Sequence, residues 1–393
     1  MEPLRFLLAL QAIEQRLKLE EGLRNELARV YGPRLDSVIE ALGSMGSRFY
    51  FRLNTLRGDP ETILHELALE ELHRLEVHDV IEDAVSLPVK WSKTEPRGWP
   101  VEADRFAAEA ILHGAHLYAP GVRRCQGLKA GAETSIVTQD RRHAGNGIAR
   151  QGEQSILKYR TGLAVEVTDN RYGIPSLMDK PGYEKGLFHP QSLPSMVTCH
   201  VLDPQPGESI VDLNCAPGGK LSYLCQLSKN EAKVVGFDRN KTKLEKTRKH
   251  LERLGCSNYQ LINHDSRYAH EDFTFSADKV MVDPPCTGLG VIPKLGVDMT
   301  EVDVHNLSDY QRQFLTAASH IVRDGGVIVY SVCTITWEEC EGILDHAIDR
   351  LGLVLDEACP KVGANGLDER SMTQRFDPDI DGTGYFIARF LKP

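Results

Sequence analysis

Ser209-Ile210-Val211-Asp212-Leu213-Asn214-Cys215-Ala216-Pro217-Gly218-Gly219-Lys220 decides how the chain is read. An apolar run closing on an acid and a paired-glycine turn predicts a strand that passes into a helix. The turn is open enough for a ligand to reach the backbone. A P-loop would need Gly at 214 and Ser or Thr at 221, where Asn214 and Leu221 stand, and Gly-x-Gly-x-x-Gly is not matched either. Downstream, short apolar runs recur at 233–237, 260–262, 279–282 and 327–330, with helical stretches at 241–254 and 308–322 between them. Strands alternating with helices predict an α/β, doubly wound, Rossmann-like parallel sheet, closed by a last strand at 384–390.

The ends of these strands carry chemistry. Asp238 ends the second strand 19 residues after Gly219, close to the spacing expected of an acceptor for ribose hydroxyls. Asp265 follows the third strand, placed to meet the adenine end of a nucleoside. Asp283-Pro284-Pro285-Cys286 closes the fourth in a turn stiffened by two prolines, and Tyr330-Ser331-Val332-Cys333-Thr334 closes the fifth. Each cysteine alone reads as a buried free thiol. Two on neighbouring strand ends, at the edge where open α/β sheets bind ligands, predict covalent chemistry. C5 of cytosine is a poor nucleophile toward a methyl sulfonium; a thiolate added at C6 converts the ring to an enamine whose C5 can attack. A base paired in a duplex is out of reach, so it must be unpaired or flipped.

Upstream the pattern differs. Residues 1–95 read as helices at 17–30 and 34–42 followed by an extended Arg48-Phe49-Tyr50-Phe51-Arg52-Leu53-Asn54-Thr55, then a Pro-punctuated linker at 93–100. Leu10, Ile13 and Leu17 are spaced as on one helix face. Residues 96–171 are glycine-rich with short β-like runs, suggesting a small barrel, and residues 172–393 hold the large sheet. The net charge is −10, yet residues 97–171 hold 11 Lys/Arg against 8 Asp/Glu, a net of +3, leaving −13 elsewhere. A basic module in an acidic protein makes nucleic-acid contact local. Nine cysteines with no Cys-x-x-Cys pair exclude a disulfide scaffold and argue against structural zinc. No membrane span or signal peptide is recognised, so a soluble, cytoplasmic, metal-free monomer is expected.

The region 172–390 resembles the RNA cytosine-C5 methyltransferases of the Nop/Sun type. The resemblance runs in order through His189-Pro190-Gln191, Leu202-Asp203-Pro204-Gln205-Pro206-Gly207-Glu208, the turn Asn214–Lys220, Asp238 and Asp265. It continues through Asp283-Pro284-Pro285-Cys286, Ser331-Val332-Cys333-Thr334 and Arg375-Phe376-Asp377-Pro378; Arg52-Leu53-Asn54-Thr55 resembles that family's Arg-Val-Asn-Thr. Departures are Asn214-Cys215 for Cys-Ala, Leu221 for Thr and Cys340 for Asn. The resemblance implies a fold of S-adenosylmethionine (AdoMet)-dependent methyltransferases, with Cys333 as nucleophile and Cys286 assisting release. Lys220 and Asp283 would contact the cytosine. Asn214, Cys215, Ala216, Pro217, Gly218, Gly219, Lys220, Asp238, Asp265 and Asp283 would surround AdoMet.

The stretch His113-Gly114-Ala115-His116-Leu117-Tyr118-Ala119-Pro120-Gly121-Val122 resembles the signature of a PUA domain, an RNA-binding barrel. A PUA module ahead of the methyltransferase domain implies the subgroup that methylates cytosine 72 of the tRNA acceptor stem. Arg123, Arg124, Arg141, Arg142, Lys158 and Arg160 are candidate phosphate contacts. The alternative within the family is ribosomal or another RNA. An exocyclic-amine methyltransferase would not need the second thiol, and a silent RNA-binding scaffold would not need either.

Overall fold

The turn quoted above does join a strand to a helix: β1 (Ser209–Asp212) leads into α1 (Gly219–Leu227). This geometry comes from a computed structural model that describes residues 17–393 apart from Glu71, His73, Lys93 and Glu369. The same sheet holds β2 (Lys233–Asp238), β3 (Tyr259–Asn263), β4 (Ala277–Val282), β5 (Val322–Val332), β6 (Val354–Asp356), β7 (Ala364–Asn365), β8 (Gln374–Phe376) and β9 (Tyr385–Leu391). Their order is β3-β2-β1-β4-β5-β9-β8-β7, with β6 also pairing β9; β1 to β5 are mutually parallel and β9 runs antiparallel to β5. The chain winds outward from β1 to β3 and then crosses back to β4. The switch point between β1 and β4 is where such sheets open a crevice.

Helices α2 (Lys241–Leu254) and α3 (Glu301–Ile321) also belong to this unit. α3 starts at 301, not 308, because Thr300 and Asp303 form a reciprocal cap: Thr300 N donates to Asp303 Oδ2 at 2.9 Å and Asp303 N to Thr300 Oγ1 at 3.3 Å. β5 likewise extends beyond the expected 327–330. The helix expected over 17–30 spans Glu21–Tyr31, since the Glu20 carboxylate accepts from Gly22 N and Leu23 N and so starts it there. Leu17 precedes that helix; Leu10 and Ile13 lie outside the described residues.

Arg48–Leu53 pairs with Ala84–Pro88 on one side and with Phe188–Pro190 on the other. Residues 1–95 therefore share a sheet with a strand from beyond residue 172. Arg52, fully buried, makes the joint. Its Nε donates to Gln191 Oε1 at 2.8 Å, its other nitrogens to Ser222 Oγ and Gln226 Oε1, and its guanidinium lies 4.8 Å from the Tyr223 ring centre. Tyr223 OH and Gln226 Nε2 both reach the Asp83 carboxylate. Ser222, Tyr223 and Gln226 lie on α1, so a buried polar network ties the N-terminal sheet to the helix that begins at the glycine turn. At the other end Arg375 pairs with Glu341 at 2.6 Å, both buried, and Asp377 accepts from Tyr31 OH at 3.0 Å. The Arg375-Phe376-Asp377-Pro378 stretch thus anchors the N-terminal helix.

Residues 99–170 form a separate six-stranded sheet around its own apolar core, which includes Val101, Ile111, Leu117, Ile136 and Val165. Its strand order is Leu117–Tyr118, Leu163–Asn170, His143–Ala149, Glu133–Val137, Trp99–Ala103, Val122–Arg124. No helix among the described residues is long and apolar enough to cross a membrane.

Candidate active site

Everything the turn after β1 offers a ligand is backbone and short polar groups. Gly218 sits at φ +106°, and a Cβ there would stand 3.0 Å from Thr247 on α2. The Cys215 side chain turns inward beneath Gly236, where a Cβ would meet it at 2.8 Å and Leu221 at 2.3 Å; burial pushes its thiol far up. Only the main chain of Cys215 is offered to the crevice. Asn214 N donates to Asp212 Oδ1 at 3.1 Å, while Asn214 Oδ1 is buried with no hydrogen-bond partner. Such an orphaned acceptor fits a ligand that brings N–H or O–H groups. Asp238 accepts from Asn240 N through Oδ1 at 2.6 Å.

Asp265 differs from expectation. Arg267 grips it at two points, Nε–Oδ1 2.9 Å and NH2–Oδ2 2.6 Å, and these hydrogen bonds hold its carboxyl below the usual range. Arg267 in turn lies over the Tyr310 ring at 4.6 Å. An adenine meeting Asp265 would meet an ion pair and an aromatic neighbour, not a bare acid.

Across the switch point, Lys220 at the start of α1 reaches the Asp283 carboxylate after β4, Nζ–Oδ2 2.7 Å. Asp283 Oδ1 also accepts from Ser331 Oγ at 3.0 Å and Tyr385 OH at 3.4 Å. Burial works against the Lys220 ammonium, but Asp283 and Tyr385 outweigh it and hold its pKa well above the ordinary lysine value. Asp212, wholly buried nearby, has no such cation of its own, and burial pushes its carboxyl up to about 7.

Cys286 and Cys333 meet: their Sγ atoms are 3.4 Å apart. The two thiols are pushed in opposite directions. The hydrogen bond with Cys286 lowers Cys333, overcoming its burial with help from Lys220 and Lys294. The same hydrogen bond, then burial, then the negative charge of Cys333 and Glu339 raise Cys286 well above an ordinary thiol. The contact therefore favours ionisation of Cys333 over that of Cys286. Cys333 opens into a cavity of about 770 Å³ also lined by Tyr385, Tyr50, His78 and His113, so the N-terminal sheet and the 99–170 module both wall the approach to the thiol.

The acid Glu339 did not stand out in the sequence, where the run Glu338-Glu339-Cys340-Glu341 is noticed only for Cys340. It is fully buried between the two cysteine turns. A buried acid five residues after Thr334 carries no pattern of its own; only its partners reveal it.

In the 99–170 module, exposed Arg123 and Arg124 line a basic pocket of about 430 Å³ together with Arg141. The Arg160 guanidinium donates to Val122 O at 2.6 Å and Pro120 O at 2.7 Å, bracing the loop. Arg142 pairs with Asp140 at 2.5 Å, and Lys158 lies 5.2 Å from the Tyr159 ring centre.

Comparison with known proteins accounts for both parts. Residues 199–391 match the family model described as 16S rRNA methyltransferase RsmB/F, and residues 100–170 match that of the PUA domain. The chain is 37% identical to a tRNA (cytosine(72)-C(5))-methyltransferase of Pyrococcus horikoshii, over 94% of this chain and 96% of that protein. It is 28% identical to the human tRNA (cytosine(72)-C(5))-methyltransferase NSUN6, over 95% and 96%. The crystal structure of NSun6 from Pyrococcus horikoshii with SFG, an AdoMet analogue, superposes with a TM-score of 0.85 at 36% identity, covering 95% of this chain and 98% of that one. Rossmann-like sheet, PUA module and full-length relatives agree: the chain belongs to the RsmB/F-type family of AdoMet-dependent RNA (cytosine-5) methyltransferases.

Proposed function

We propose that this enzyme methylates C5 of cytosine 72 in the acceptor stem of tRNA through a covalent adduct with Cys333. The observation that carries the chemistry is the pair of touching thiols with opposed acidities, beside the Lys220–Asp283 ion pair. Cys333 Sγ adds to C6 of the flipped base, and the electron pair moves to C5, which forms the new carbon–carbon bond. AdoMet, when bound, supplies the methyl group as a sulfonium electrophile. The C5 proton passes to solvent water, the C5–H electron pair re-forms the C5–C6 double bond, and the C6–S bond breaks so that Sγ departs as thiolate. Cys286 lies against that sulfur and, as the protonated partner, donates to it as it leaves. Lys220 and Asp283 hold the base, the carboxylate accepting from the exocyclic amine and the ammonium donating to a ring acceptor.

The AdoMet contacts are carried by Asn214 Oδ1, the backbone of Cys215, Ala216, Pro217, Gly218 and Gly219, and the Asp238 carboxylate, with Lys220, Asp265 and Asp283 at the borders of the site. The orphaned Asn214 oxygen supports this assignment. For the substrate, the support is that the similar tRNA (cytosine(72)-C(5))-methyltransferases extend over the PUA region as well as the sheet. The pocket of Arg123, Arg124 and Arg141 adds a second grip on RNA, and two linked contacts bind far better than either alone. Mapping 5-methylcytosine in total tRNA and ribosomal RNA after incubation with enzyme and AdoMet tests this. Methylation at position 72 of tRNA is expected. Label found only in ribosomal RNA would move the substrate to the family's other branch.

A further inference from the structure

We propose that Glu339 is the positioning residue that holds the two thiols in register, by binding the Cys286 turn and the Cys333 turn to one carboxylate. The inference rests on the assignment of Cys333 as nucleophile and Cys286 as its partner.

Each oxygen of Glu339 serves both turns or their support. Oε1 accepts from Thr287 N at 2.9 Å and from Gln311 Nε2 at 2.9 Å. Oε2 accepts from Thr287 Oγ1 at 2.6 Å, Thr336 Oγ1 at 3.0 Å and Thr334 Oγ1 at 3.2 Å. Thr287 follows Cys286 directly and Thr334 follows Cys333 directly, and the two hydroxyls meet at 2.6 Å. Gln311, on α3, also donates to Pro285 O at 3.0 Å, so the residue before Cys286 is held as well. Tyr330 OH closes the network on Glu339 O at 2.7 Å and Gln311 Oε1 at 3.0 Å. Glu339, Gln311, Thr334 and Thr336 are completely buried.

All of these donors are neutral. A carboxylate removed from water costs free energy that neutral donors offset only when they converge, so an apolar core would be the cheaper way to pack this spot. What the carboxylate adds is geometry. Its two oxygens sit a fixed distance apart and span two strand-end turns past the end of the β4–β5 ladder, where Gly290 N also donates to Cys333 O at 3.0 Å. It also adds charge, since Glu339 helps raise the Cys286 thiol and so favours its protonated form. The other charged groups acting on the thiols are Asp283, Lys220 and Lys294.

Two substitutions separate geometry from charge. In Glu339→Gln the amide oxygen can still accept from Thr287 N–H and Gln311, and the amide N–H groups can donate to hydroxyls that turn to accept. Glu339→Ala loses both functions. The measurements are methylation kinetics on a transcribed tRNA with cytosine at position 72, trapped adduct on denaturing gels, and iodoacetamide labelling of each thiol against pH, read by peptide mass. Glu339→Ala should lower kcat by roughly a hundredfold, as displacement of a reacting group by about 1 Å does. KM for tRNA should stay within about twofold, because uniform binding is untouched. Glu339→Gln should recover most of kcat while shifting labelling of Cys286 to lower pH.

A folded Glu339→Ala enzyme with unchanged kcat would overturn the proposal. So would equal loss of melting temperature in both variants with unchanged kinetics and labelling, since that is a packing role only. If the alanine variant does not fold, the Glu339→Gln labelling profile decides alone, and a wild-type profile sinks the idea. Cys333→Ala run in parallel keeps the two questions apart. Turnover in that variant would refute the nucleophile, whereas labelling of the Glu339 variants involves no RNA and reports on positioning independently.

Discussion

The crevice at the ends of β4 and β5 and the basic face of the PUA module handle charge in opposite ways. In the crevice several charged groups are partly or wholly withdrawn from water and met by partners. Lys220 sits on Asp283, Asp265 on Arg267, and Glu339 within five hydrogen bonds. On the PUA module Arg123 and Arg124 stand exposed, and Arg123 lies 3.8 Å from the Asp104 carboxylate. Chemistry at C6 and C5 needs donors and thiols fixed in advance, and a water-poor site makes each interaction count for more. Holding RNA needs positive charge in reach of phosphates, and that attraction works through water and falls with salt. The difference teaches that one domain is built for angles and the other for reach.

Changes in the first region should be severe and insensitive to salt. Cys333→Ala should reduce methylation to background in a single-turnover assay while AdoMet binding stays near wild type. Residual turnover close to wild type would remove Cys333 as nucleophile. Cys286→Ala should leave adduct formation but block its breakdown, so that a covalent enzyme–RNA species accumulates on denaturing gels. That species should be absent when Cys333→Ala is added. Asp238→Ala, at the cofactor side, should weaken AdoMet binding by about tenfold, the loss of one charge-assisted hydrogen bond of roughly 1.5 kcal/mol. Calorimetry checks it, and unchanged affinity would place the ribose elsewhere.

Changes in the second region should be milder and should show in salt. Arg123→Gln with Arg124→Gln should raise KM for tRNA several-fold and leave kcat alone. The slope of log affinity against log salt should fall by about 1.4 if each arginine meets one phosphate of a single strand. An unchanged slope would mean that this pocket does not hold the backbone.

The smallest effect concerns Asp212. Its folded-state pKa of about 7 lies above its ordinary 3.8. Its contribution to stability is therefore full below about pH 4 and is lost as pH rises through about 7. The melting temperature of the wild type relative to Asp212→Asn, both without cofactor, should drop by a few degrees between about pH 6 and about pH 8. A pH-independent difference would show that Asp212 is already ionised in the folded protein at about pH 6, so that burial does not raise its carboxyl.

Much of the crevice is legible from sequence, because strand ends leave local marks. The Gly218-Gly219 turn, Asp238 after an apolar run and the stiff Asp283-Pro284-Pro285-Cys286 are each readable within a few residues. The capping pair Thr300 and Asp303 was equally local, and reading it would have placed the start of α3 correctly. Other features depend on partners far along the chain. Arg160 reads as one more cation in the sequence, and only the fold shows that it also braces the Pro120 and Val122 carbonyls. Asp265 reads as a bare acid in the sequence, and only the fold shows Arg267 paired with it.

The amino-acid sequence by itself determined the alternating strands and helices, the basic module ahead of them and the two cysteines at neighbouring strand ends. Periodicity, turn residues and charge are properties of short segments, so they survive without a fold. Only the tertiary structure decided that the thiols touch at 3.4 Å, that Arg52 locks the N-terminal sheet onto α1, and that Glu339 spans both cysteine turns. These depend on groups 47, 170 and 52 residues apart being brought within a hydrogen bond of one another. The packing of the whole chain, not any one stretch, sets such distances.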